Sequence, residues 1–479
     1  MNSLKHIWIV HPFEQLPNES DIPLRAWSLS KALVKEGYSV TWWASDFSHI
    51  NKIKRSPCPD IDGFSIRLIK TLPYKKNISL RRIRSNRSFC KNFYKEAISK
   101  LKKNILEKPF RIVISLPPLG LAEYTFKIRD YINETIEKDN KNLKLVSKIF
   151  CQVIVDINDA WPEVFYRIFS KKIRKYIAPI LLSPFHRSAM IAYKLADKIS
   201  AVGLSYLKIA KNYLNTKKKN LFITSIVKKK YKNEYLKKPM HLCYHGVDLK
   251  RFETKIILNR STKYNNLYKN VRLYQSRNIN LKNEKKVHLQ VVYIGAMNSG
   301  YDLQTIISVA EKWKNENNTP LQIHFAGKGD QLNSLKLMSK KIGLLDSFDP
   351  KNHESKIIFH GYLKNDNLNN LLISSDIALV ANRSDTLVAC PYKVAEYAGA
   401  SLPMISCLDG EFNNLLKLWN AGLTYESGSI QSLYNVIKKY SKNFKLLKRH
   451  GLNARRMAKN IFDREKIYKN YSKFVIGNV

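Results

Sequence analysis

An early stretch of the chain, residues 7–43, decides the fold class: IWIVHPFEQLPNESDIPLRAWSLSKALVKEGYSVTWW. Its first four residues, 7–10, form a short apolar run of the kind found in buried strands. Apolar side chains then recur at helical spacing over residues 24–33 and stop at Gly37, a residue that commonly ends helices. Residues 38–43 are aromatic and β-branched, which favours a second strand. A strand, a helix and a strand in succession predict a parallel α/β sheet.

The same alternation continues on both sides of one irregular stretch. Residues 251–284 are rich in Asn, Lys, Arg, Ser and Tyr and lack apolar periodicity, so we interpret them as a linker or irregular insertion. We expect an N-terminal domain over residues 1–250, a C-terminal domain over residues 285–460, and a terminal helix over residues 461–479 that packs back toward the N-terminal domain. Further strands are expected at residues 64–69, 112–116, 153–157, 198–202, 289–294, 321–325, 356–359, 377–380 and 404–406.

The length of the chain agrees with two domains, because 479 residues are too many for one hydrophobic core. We expect both to be Rossmann-like, doubly wound sheets that face a central cleft. Ligands bind such sheets at the carboxyl ends of the strands, where helix N-termini and glycine turns present unpaired N–H groups.

Charge is the outlying feature of the composition. The chain carries 83 Lys and Arg against 38 Asp and Glu, a net charge of +45, which suits a polyanionic partner. The six cysteines lie far apart and form no Cys-x-x-Cys pair, which argues against structural zinc and for a reducing compartment. We expect neither a signal peptide nor a membrane-spanning segment, since the most apolar stretch, residues 177–192, is interrupted by polar side chains and a proline.

The C-terminal half contains a series of short segments: YIG (293–295), YDL (301–303), FAGKG (325–329), FHG (359–361), SDIAL (375–379), PYKVAEYA (391–398) and LPMI (402–405). In this order and spacing they resemble the glycosyltransferases of family 4, which have the GT-B fold. In the N-terminal half, SDFSH (45–49), DINDAWPE (156–163) and YHGVD (244–248) are similar to segments of bacterial enzymes that build capsule, O-antigen and lipopolysaccharide. The resemblance implies a metal-independent enzyme that transfers a sugar from a nucleotide-diphosphate sugar with retention of configuration, and that needs no other cofactor.

The resemblance also assigns a donor site to the C-terminal half. In the family, a glutamate at the place of Glu396 binds the ribose hydroxyls, a role that suits a carboxylate because it can accept two O–H bonds. Lys393 is a candidate for binding the diphosphate. Many members carry a second glutamate where this chain has Val388, so main-chain atoms near Cys390 are expected to contact the sugar instead. The remaining candidates for donor binding are Tyr392, Gly295, Gly327, Lys328 and Gly329.

Catalytic groups are expected in the N-terminal half. Asp159 follows the strand at residues 153–157, and either it orients or deprotonates the acceptor hydroxyl or it caps a helix. Glu163 is the second candidate. Arg25 could bind phosphate, although a surface position is favoured. Residues 60–62 match the metal-binding Asp-x-Asp pattern but form a Pro-Asp-Ile-Asp-Gly turn, so no metal site is expected.

Two basic clusters indicate which surface faces the acceptor. Residues 75–103 hold eleven Lys and Arg with Phe89, Phe93 and Tyr94 interleaved, and residues 217–238 hold nine. We expect an acceptor-facing and membrane-facing surface that includes Arg81, Arg82, Arg84 and Arg87. Such a surface suits an anionic membrane and a lipid-diphosphate-linked or glycan acceptor, so the protein is expected in the cytoplasm, peripherally attached to the inner face of the membrane. The alternative is a solvated face in a lysine-rich chain.

Two other functions stay open. The charge would also suit a nucleic-acid-binding or other polyanion-binding protein, although no nucleic-acid-recognition motif is present and nucleic acid is not the expected partner. A sugar-nucleotide epimerase of the same fold is the other alternative, but it would have no use for basic surfaces on the N-terminal half.

Overall fold

The computed structural model describes residues 6–20, 22–77, 79–103, 108–143, 150–215, 238–253, 289–316, 320–345 and 355–477. The chain forms two compact units: Met1–His245 with Lys466–Val479, and Gly246–Glu465. The linker expected over residues 251–284 therefore begins inside the second unit, and from residue 254 onward it lies outside the described residues.

The first unit is built on a sheet of seven parallel strands in the order β3-β2-β1-β4-β5-β6-β7. Their bounds are β1 His6–Val10, β2 Ser39–Ser45, β3 Phe64–Ile69, β4 Arg111–Leu116, β5 Gln152–Ile157, β6 Lys198–Ala201 and β7 Met240–Leu242. The helices of this unit are α1 Arg25–Lys35, α2 Leu80–Lys103, α3 Leu121–Leu143, α4 Lys171–Tyr176, α5 Ala178–Leu181, α6 Ser183–Leu195 and α7 Leu204–Asn215.

The second unit has a sheet of six parallel strands in the order β10-β9-β8-β11-β12-β13. Its strands are β8 Leu289–Ile294, β9 Leu321–Ala326, β10 Lys356–Gly361, β11 Ile377–Val380, β12 Met404–Ser406 and β13 Gly422–Thr424. Its helices are α8 Leu303–Asn315, α9 Leu332–Lys341, α10 Asn365–Ser374, α11 Tyr392–Gly399, α12 Glu411–Leu418, α13 Ile430–Lys442 and α14 Phe444–Met457. A last helix, α15 Arg464–Ile476, belongs to the first unit from Lys466 onward.

Both sheets have the strand order of a doubly wound fold, which reverses once near the middle. The reversal lies between β1 and β4 in the first unit and between β8 and β11 in the second. Loops diverge above and below the sheet at such a point, so side chains that follow these strands are well placed to bind a ligand. The short edge strands β7 and β13 were not predicted, because their residues are only half-buried and form no continuous apolar run.

Capping explains how the decisive stretch of sequence folds. The Glu14 carboxylate accepts hydrogen bonds from the backbone N–H groups of Ala26 at 2.8 and 2.9 Å and of Trp27 at 3.1 Å, which satisfies donors in the first turn of α1. At the other end Gly37 adopts φ +84°, the left-handed conformation that stops the helix as predicted.

A buried ion pair holds α1 on the sheet of the first unit. Arg25 is 3% exposed, and its Nε and Nη2 atoms each lie 2.6 Å from a different carboxylate oxygen of Asp156 at the end of β5. Ser200 donates to the same carboxylate, and the Ser200 hydroxyl lies 2.7 Å from the Tyr471 hydroxyl on α15. The favoured surface position for Arg25 was therefore wrong, because its charge is neutralised by a partner 131 positions later in the chain.

Candidate functional site

The helix that carries Glu396 lies in the interior of the second unit. Helix α11 begins after Pro391, and every residue from Lys393 to Gly399 is buried. Glu396 is 2% exposed, so its carboxylate needs a partner. Arg251 provides one, since its Nη1 atom lies 3.0 Å from both carboxylate oxygens and its Nη2 atom donates to Asn369 Oδ1 at 2.6 Å.

This pairing leaves Glu396 with capacity for a ligand. A carboxylate offers about four lone-pair positions, and Arg251 uses two of them. Sequence reasoning missed Arg251, which lies in a short 3₁₀ turn, Leu249–Phe252, at the start of the predicted linker. The only signal that could have found it was the need of a buried glutamate for a cation.

Lys393 is a buried cation that lies against two aromatic rings of the second unit. It is 8% exposed, and its Nζ atom lies 4.0 Å from the centre of the Tyr293 ring and 4.4 Å from that of Tyr301. Nζ has no hydrogen-bond acceptor in the part of the chain that the structure describes. Burial lowers the pKa of Lys393 to about 7. The faces of aromatic rings attract an ammonium group, but they do not replace hydrogen-bond acceptors for its three N–H groups. A bound anion would supply these acceptors.

Gly295 is the backbone neighbour of Lys393 at the sheet reversal. It follows β8 with φ +124°, and a Cβ atom there would lie 3.1 Å from Lys393 Nζ. A side chain at position 295 would therefore crowd the ammonium group.

The structure gives Gly327 and Gly329 a role in loop packing, whereas the sequence suggested them as donor-binding residues. A Cβ atom on Gly327 would lie 1.9 Å from the carbonyl oxygen of Gly295, and one on Gly329 would lie 2.1 Å from that of Met297. The loops after β8 and β9 thus pack backbone against backbone, and the space that these glycines leave open is filled by protein atoms. Lys328 between them is exposed.

The other residues predicted around the donor lie close to α11. The Tyr392 hydroxyl accepts a hydrogen bond from Arg464 at 3.2 Å, and burial followed by the nearby Glu396 charge raises its pKa to about 12. Cys390 is buried, which raises the pKa of its thiol. Val388 is half-buried and supplies no polar group in place of the second glutamate.

In the first unit Asp159 lies beside Arg82. It follows β5, and its Oδ1 atom accepts a hydrogen bond from the Ala160 N–H at 2.8 Å rather than from a helix. Burial raises the pKa of Asp159, opposed by hydrogen bonds and by the Arg82 charge. The guanidinium carbon of Arg82 lies 5.2 Å from the Trp161 ring centre and 5.7 Å from that of Phe13.

The surroundings of Arg82 are cationic. Lys52 donates to Asn77 Oδ1 at 2.6 Å while Arg82 donates to the Asn77 carbonyl at 2.9 Å, so both cations meet at one residue. Burial, then the Arg82 charge, lowers the pKa of Lys52 to about 8, and burial with these charges lowers the pKa of His49 to about 3. An anion would relieve this repulsion. Sequence reasoning missed Lys52, which carries no motif.

Glu163 has different neighbours from Asp159. It accepts a hydrogen bond from the Tyr213 hydroxyl at 2.8 Å, and His186 contacts both Tyr213 and Tyr166. Burial raises the pKa of Glu163, and its second oxygen, Oε2, is buried with no hydrogen-bond partner in the described ranges. The two candidate carboxylates thus belong to separate clusters.

The predicted basic surface is only partly as expected. Arg81, Arg84 and Arg87 are exposed on α2, whereas Arg82 is half-buried against aromatic rings. Phe89 and Phe93, which were expected between the charges, are 1% and 0% exposed and belong to the core, because they occupy the inner side of the helix. The second cluster lies outside the described residues, except for Lys238. In the chain as described, no helix is both long and apolar enough to span a bilayer.

The remaining sequence predictions concern metals and thiols. Asp62 accepts a hydrogen bond from the Trp27 indole at 3.0 Å and pairs with Lys31 at 3.2 Å, so it serves the turn before β3. All six cysteines are buried and unpaired with each other.

Comparisons with known proteins support the fold, and one of them matches the C-terminal half of the chain. Residues 275–457 match the family model "Glycosyl transferases group 1". No curated protein matches the chain in sequence. Among solved structures, sucrose-phosphate synthase from Thermosynechococcus elongatus matches with a TM-score of 0.64 at 11% identity, over 98% of each chain.

Two further solved structures are similar to the chain. HepE from Anabaena, in complex with UDP and glucose, matches with a TM-score of 0.57 at 11% identity, over 98% of this chain and 99% of HepE. WaaG, a glycosyltransferase involved in lipopolysaccharide biosynthesis, matches with a TM-score of 0.56 at 11% identity, over 99% of this chain and 100% of WaaG. These likenesses confirm the predicted α/β fold class of GT-B type, with two Rossmann-like sheets.

Proposed function

We propose that this chain is a glycosyltransferase (EC 2.4) that moves a sugar, with retention and without a metal, from a nucleotide-diphosphate sugar to a lipid-linked or glycan acceptor. The observation that carries the donor assignment is the buried ammonium of Lys393, which has no acceptor among the described residues and lies beside Gly295 at the sheet reversal. A diphosphate would supply the oxygens that accept hydrogen bonds from this ammonium group and the negative charge that balances its own.

The ribose is assigned to Glu396. Lys393 and Glu396 lie three positions apart on α11, so they project from neighbouring positions on one side of the helix. Arg251 pairs with both carboxylate oxygens of Glu396, and the lone pairs that Arg251 leaves unused can accept from the two ribose hydroxyls. The ribose and the diphosphate of one nucleotide would thus be bound by a single helix.

The chemistry follows from these placements. The bond between the anomeric carbon and the diphosphate oxygen breaks, and the acceptor oxygen forms its bond on the same face of the sugar. The acceptor proton passes to the departing diphosphate. Lys393 stabilises the charge that develops on this leaving group, which is the role that a metal has in other transferases. Asp159, beside the Arg82 cation, is assigned to orienting the acceptor hydroxyl, and Glu163, in its separate cluster with Tyr213, is the second candidate for this role.

An anionic acceptor is supported by the cationic cluster of Lys52 and Arg82 beside Asp159. We assign the protein to surface polysaccharide biosynthesis, at the inner face of the cytoplasmic membrane, because the acceptors of that process are lipid-linked. The likeness to HepE, solved in complex with UDP and glucose, and to WaaG, which is involved in lipopolysaccharide biosynthesis, supports this assignment. A nucleic-acid-binding role has less support, because it leaves the buried sites of Lys393 and Glu396 without a purpose.

The donor assignment makes a testable prediction for Glu396. We expect UDP or another nucleoside diphosphate to raise the unfolding temperature of the chain, since a ligand that binds only the folded state stabilises it. In Glu396→Gln the affinity for the nucleoside diphosphate should fall about 10-fold or more, the value of hydrogen bonds to a charged group. Affinity for inorganic pyrophosphate, which has no ribose, should stay unchanged. Titration calorimetry measures both.

The 2′-deoxynucleoside diphosphate is the matched control ligand. The wild type should bind it more weakly than the ribonucleotide, and Glu396→Gln should lose most of this difference. If no nucleoside diphosphate binds the wild type at millimolar concentration, the proposed function is wrong. Loss of pyrophosphate binding in the same variant would instead remove Glu396 from the ribose.

A further inference from the structure

A row of large apolar side chains on the first unit points away from its core. It consists of Ile173, Tyr176, Ile177, Ile180 and Leu181, which are 39%, 65%, 50%, 73% and 56% exposed, and we call it the apolar stripe. Single exposed apolar residues are common on proteins, but a contiguous set of this size marks an interaction surface.

The spacing of the apolar stripe is helical. Its members follow one another at intervals of three, one, three and one positions, which places them on one side of the α4–α5 segment. The bend between the two helices keeps its backbone bonded, since the Ile177 N–H donates to the Ile173 carbonyl at 2.9 Å. Ala178 and Leu182, on the opposite side, are 0% and 5% exposed and anchor the segment on the unit.

The charged residues that flank the apolar stripe in the sequence are all basic. Residues 164–196 contain seven Lys and Arg and no Asp or Glu. Lys172 and Lys175 are exposed beside the stripe, and Lys175 Nζ lies 5.1 Å from the Tyr176 ring centre. Apolar side chains flanked by cations match the layers of an anionic bilayer, whose acyl region lies beneath negatively charged headgroups.

The same segment is connected to the acceptor side of the first unit. Phe185, at the start of α6, has its ring centre 5.6 Å from that of Phe165, which in turn lies 4.5 Å from the Trp161 ring centre. Trp161 is the residue whose ring lies against Arg82. A surface that holds α4 and α5 on a membrane would therefore hold the Arg82 and Asp159 cluster close to that membrane.

We propose that the apolar stripe inserts into the interfacial layer of an anionic membrane, with Lys172 and Lys175 at the headgroups. This inference rests on the proposed function for its purpose, which is to bring the enzyme to a lipid-linked acceptor. It moves the predicted membrane contact away from α2, whose aromatic residues Phe89 and Phe93 are buried. A second copy of the chain is a poorer occupant, because a symmetric contact would bring the same cations together.

The test uses the full chain and vesicles of phosphatidylcholine with or without phosphatidylglycerol. The wild type should co-sediment with the anionic vesicles. Ile177→Glu/Ile180→Glu should reduce the partition coefficient about tenfold or more, since it removes two apolar side chains and adds two charges that the headgroups repel. Lys172→Gln/Lys175→Gln should weaken binding several-fold to anionic vesicles and little to neutral ones, and added salt should have the same effect.

Two controls make the result specific. Leu418→Glu replaces a leucine of the second unit that is 78% exposed, and it should leave vesicle binding unchanged. Arg84→Gln/Arg87→Gln removes charge from α2. If it reduces binding as much as the substitutions in the apolar stripe, or if Ile177→Glu/Ile180→Glu binds like the wild type, the inference is wrong.

Self-association distinguishes the remaining alternative. A wild-type dimer that Ile177→Glu/Ile180→Glu dissociates, with no vesicle binding by either protein, would make the stripe a protein interface and overturn the inference. Binding of nucleoside diphosphate by the same variants reports on the second unit alone. Vesicle binding without nucleotide binding would therefore reject the proposed function while leaving the membrane surface in place.

Discussion

Lys393→Met is expected to weaken nucleoside diphosphate binding about 100-fold and, at the same time, to stabilise the ligand-free protein. The loss follows from removing the buried cation that meets the diphosphate, since hydrogen bonds to a charged group contribute about 1.5–3 kcal/mol each. The gain follows because methionine has a similar shape but no unsatisfied N–H groups, and such groups cost about 1–3 kcal/mol when buried. Calorimetric titration and thermal unfolding measure the two effects.

Lys417→Met is the matched control. Lys417 is exposed on α12 of the same unit, so this substitution should change neither quantity. A Lys393→Met protein that binds the nucleotide as the wild type does would show that the buried ammonium has no part in the donor site. A Lys393→Met protein less stable than the wild type would show that the two tyrosine rings compensate the charge fully.

The pH dependence of binding gives an independent measure of Lys393. Burial lowers its pKa from the ordinary 10.5 to about 7, so the folded, ligand-free protein releases this proton at a lower pH than the unfolded chain does. Stability of the free protein should therefore rise as the pH increases from about 7 toward 10. The diphosphate binds the protonated form, so its affinity should fall by up to about tenfold per pH unit above pH 7. Lys393→Met should show neither trend.

The second large effect concerns stability alone. Arg25→Met should destabilise the first unit by about 3–5 kcal/mol, because it leaves the Asp156 carboxylate buried without its cation. Five of the seven tryptophans lie in this unit, so the change should appear in unfolding followed by tryptophan fluorescence. Arg25→Met/Asp156→Asn should recover much of the loss, since the second substitution removes the uncompensated charge.

Acid should act on the same pair. Burial alone would raise the pKa of Asp156, but the Arg25 charge and its hydrogen bonds lower it to about 2, below the ordinary 3.8. The pair thus contributes stability above pH 4, which is lost as the pH falls through about 2.

The substitutions at Arg25 and Asp156 also have an outcome that would contradict the prediction. A loss of less than 1 kcal/mol in the stability of Arg25→Met, or no recovery in the double variant, would show that the ion pair does not hold α1 on the sheet.

The sequence by itself determined the elements that depend on near neighbours. Strands buried on both faces of a parallel sheet appear as nearly continuous apolar runs, so β8, β11 and β12 have the predicted bounds. The edge strand β3 also has its predicted bounds, although apolar and polar residues alternate over residues 64–68. Residues 392–398, which belong to a segment that carries the family resemblance, form most of helix α11 with Glu396 and Lys393. The family resemblance added the candidate donor residues, but it did not describe their surroundings.

Only the tertiary structure decided which charges meet. Arg25 finds Asp156 across 131 positions and Arg251 finds Glu396 across 145, and no local pattern specifies such partners. Packing likewise turned Arg82 from a surface cation into one that faces Trp161, and it left Lys393 between two rings without an acceptor in the described residues. The physical reason is that the partners and the pKa of a charged side chain depend on burial and on residues distant in sequence. A strand or a helix depends mainly on residues a few positions away.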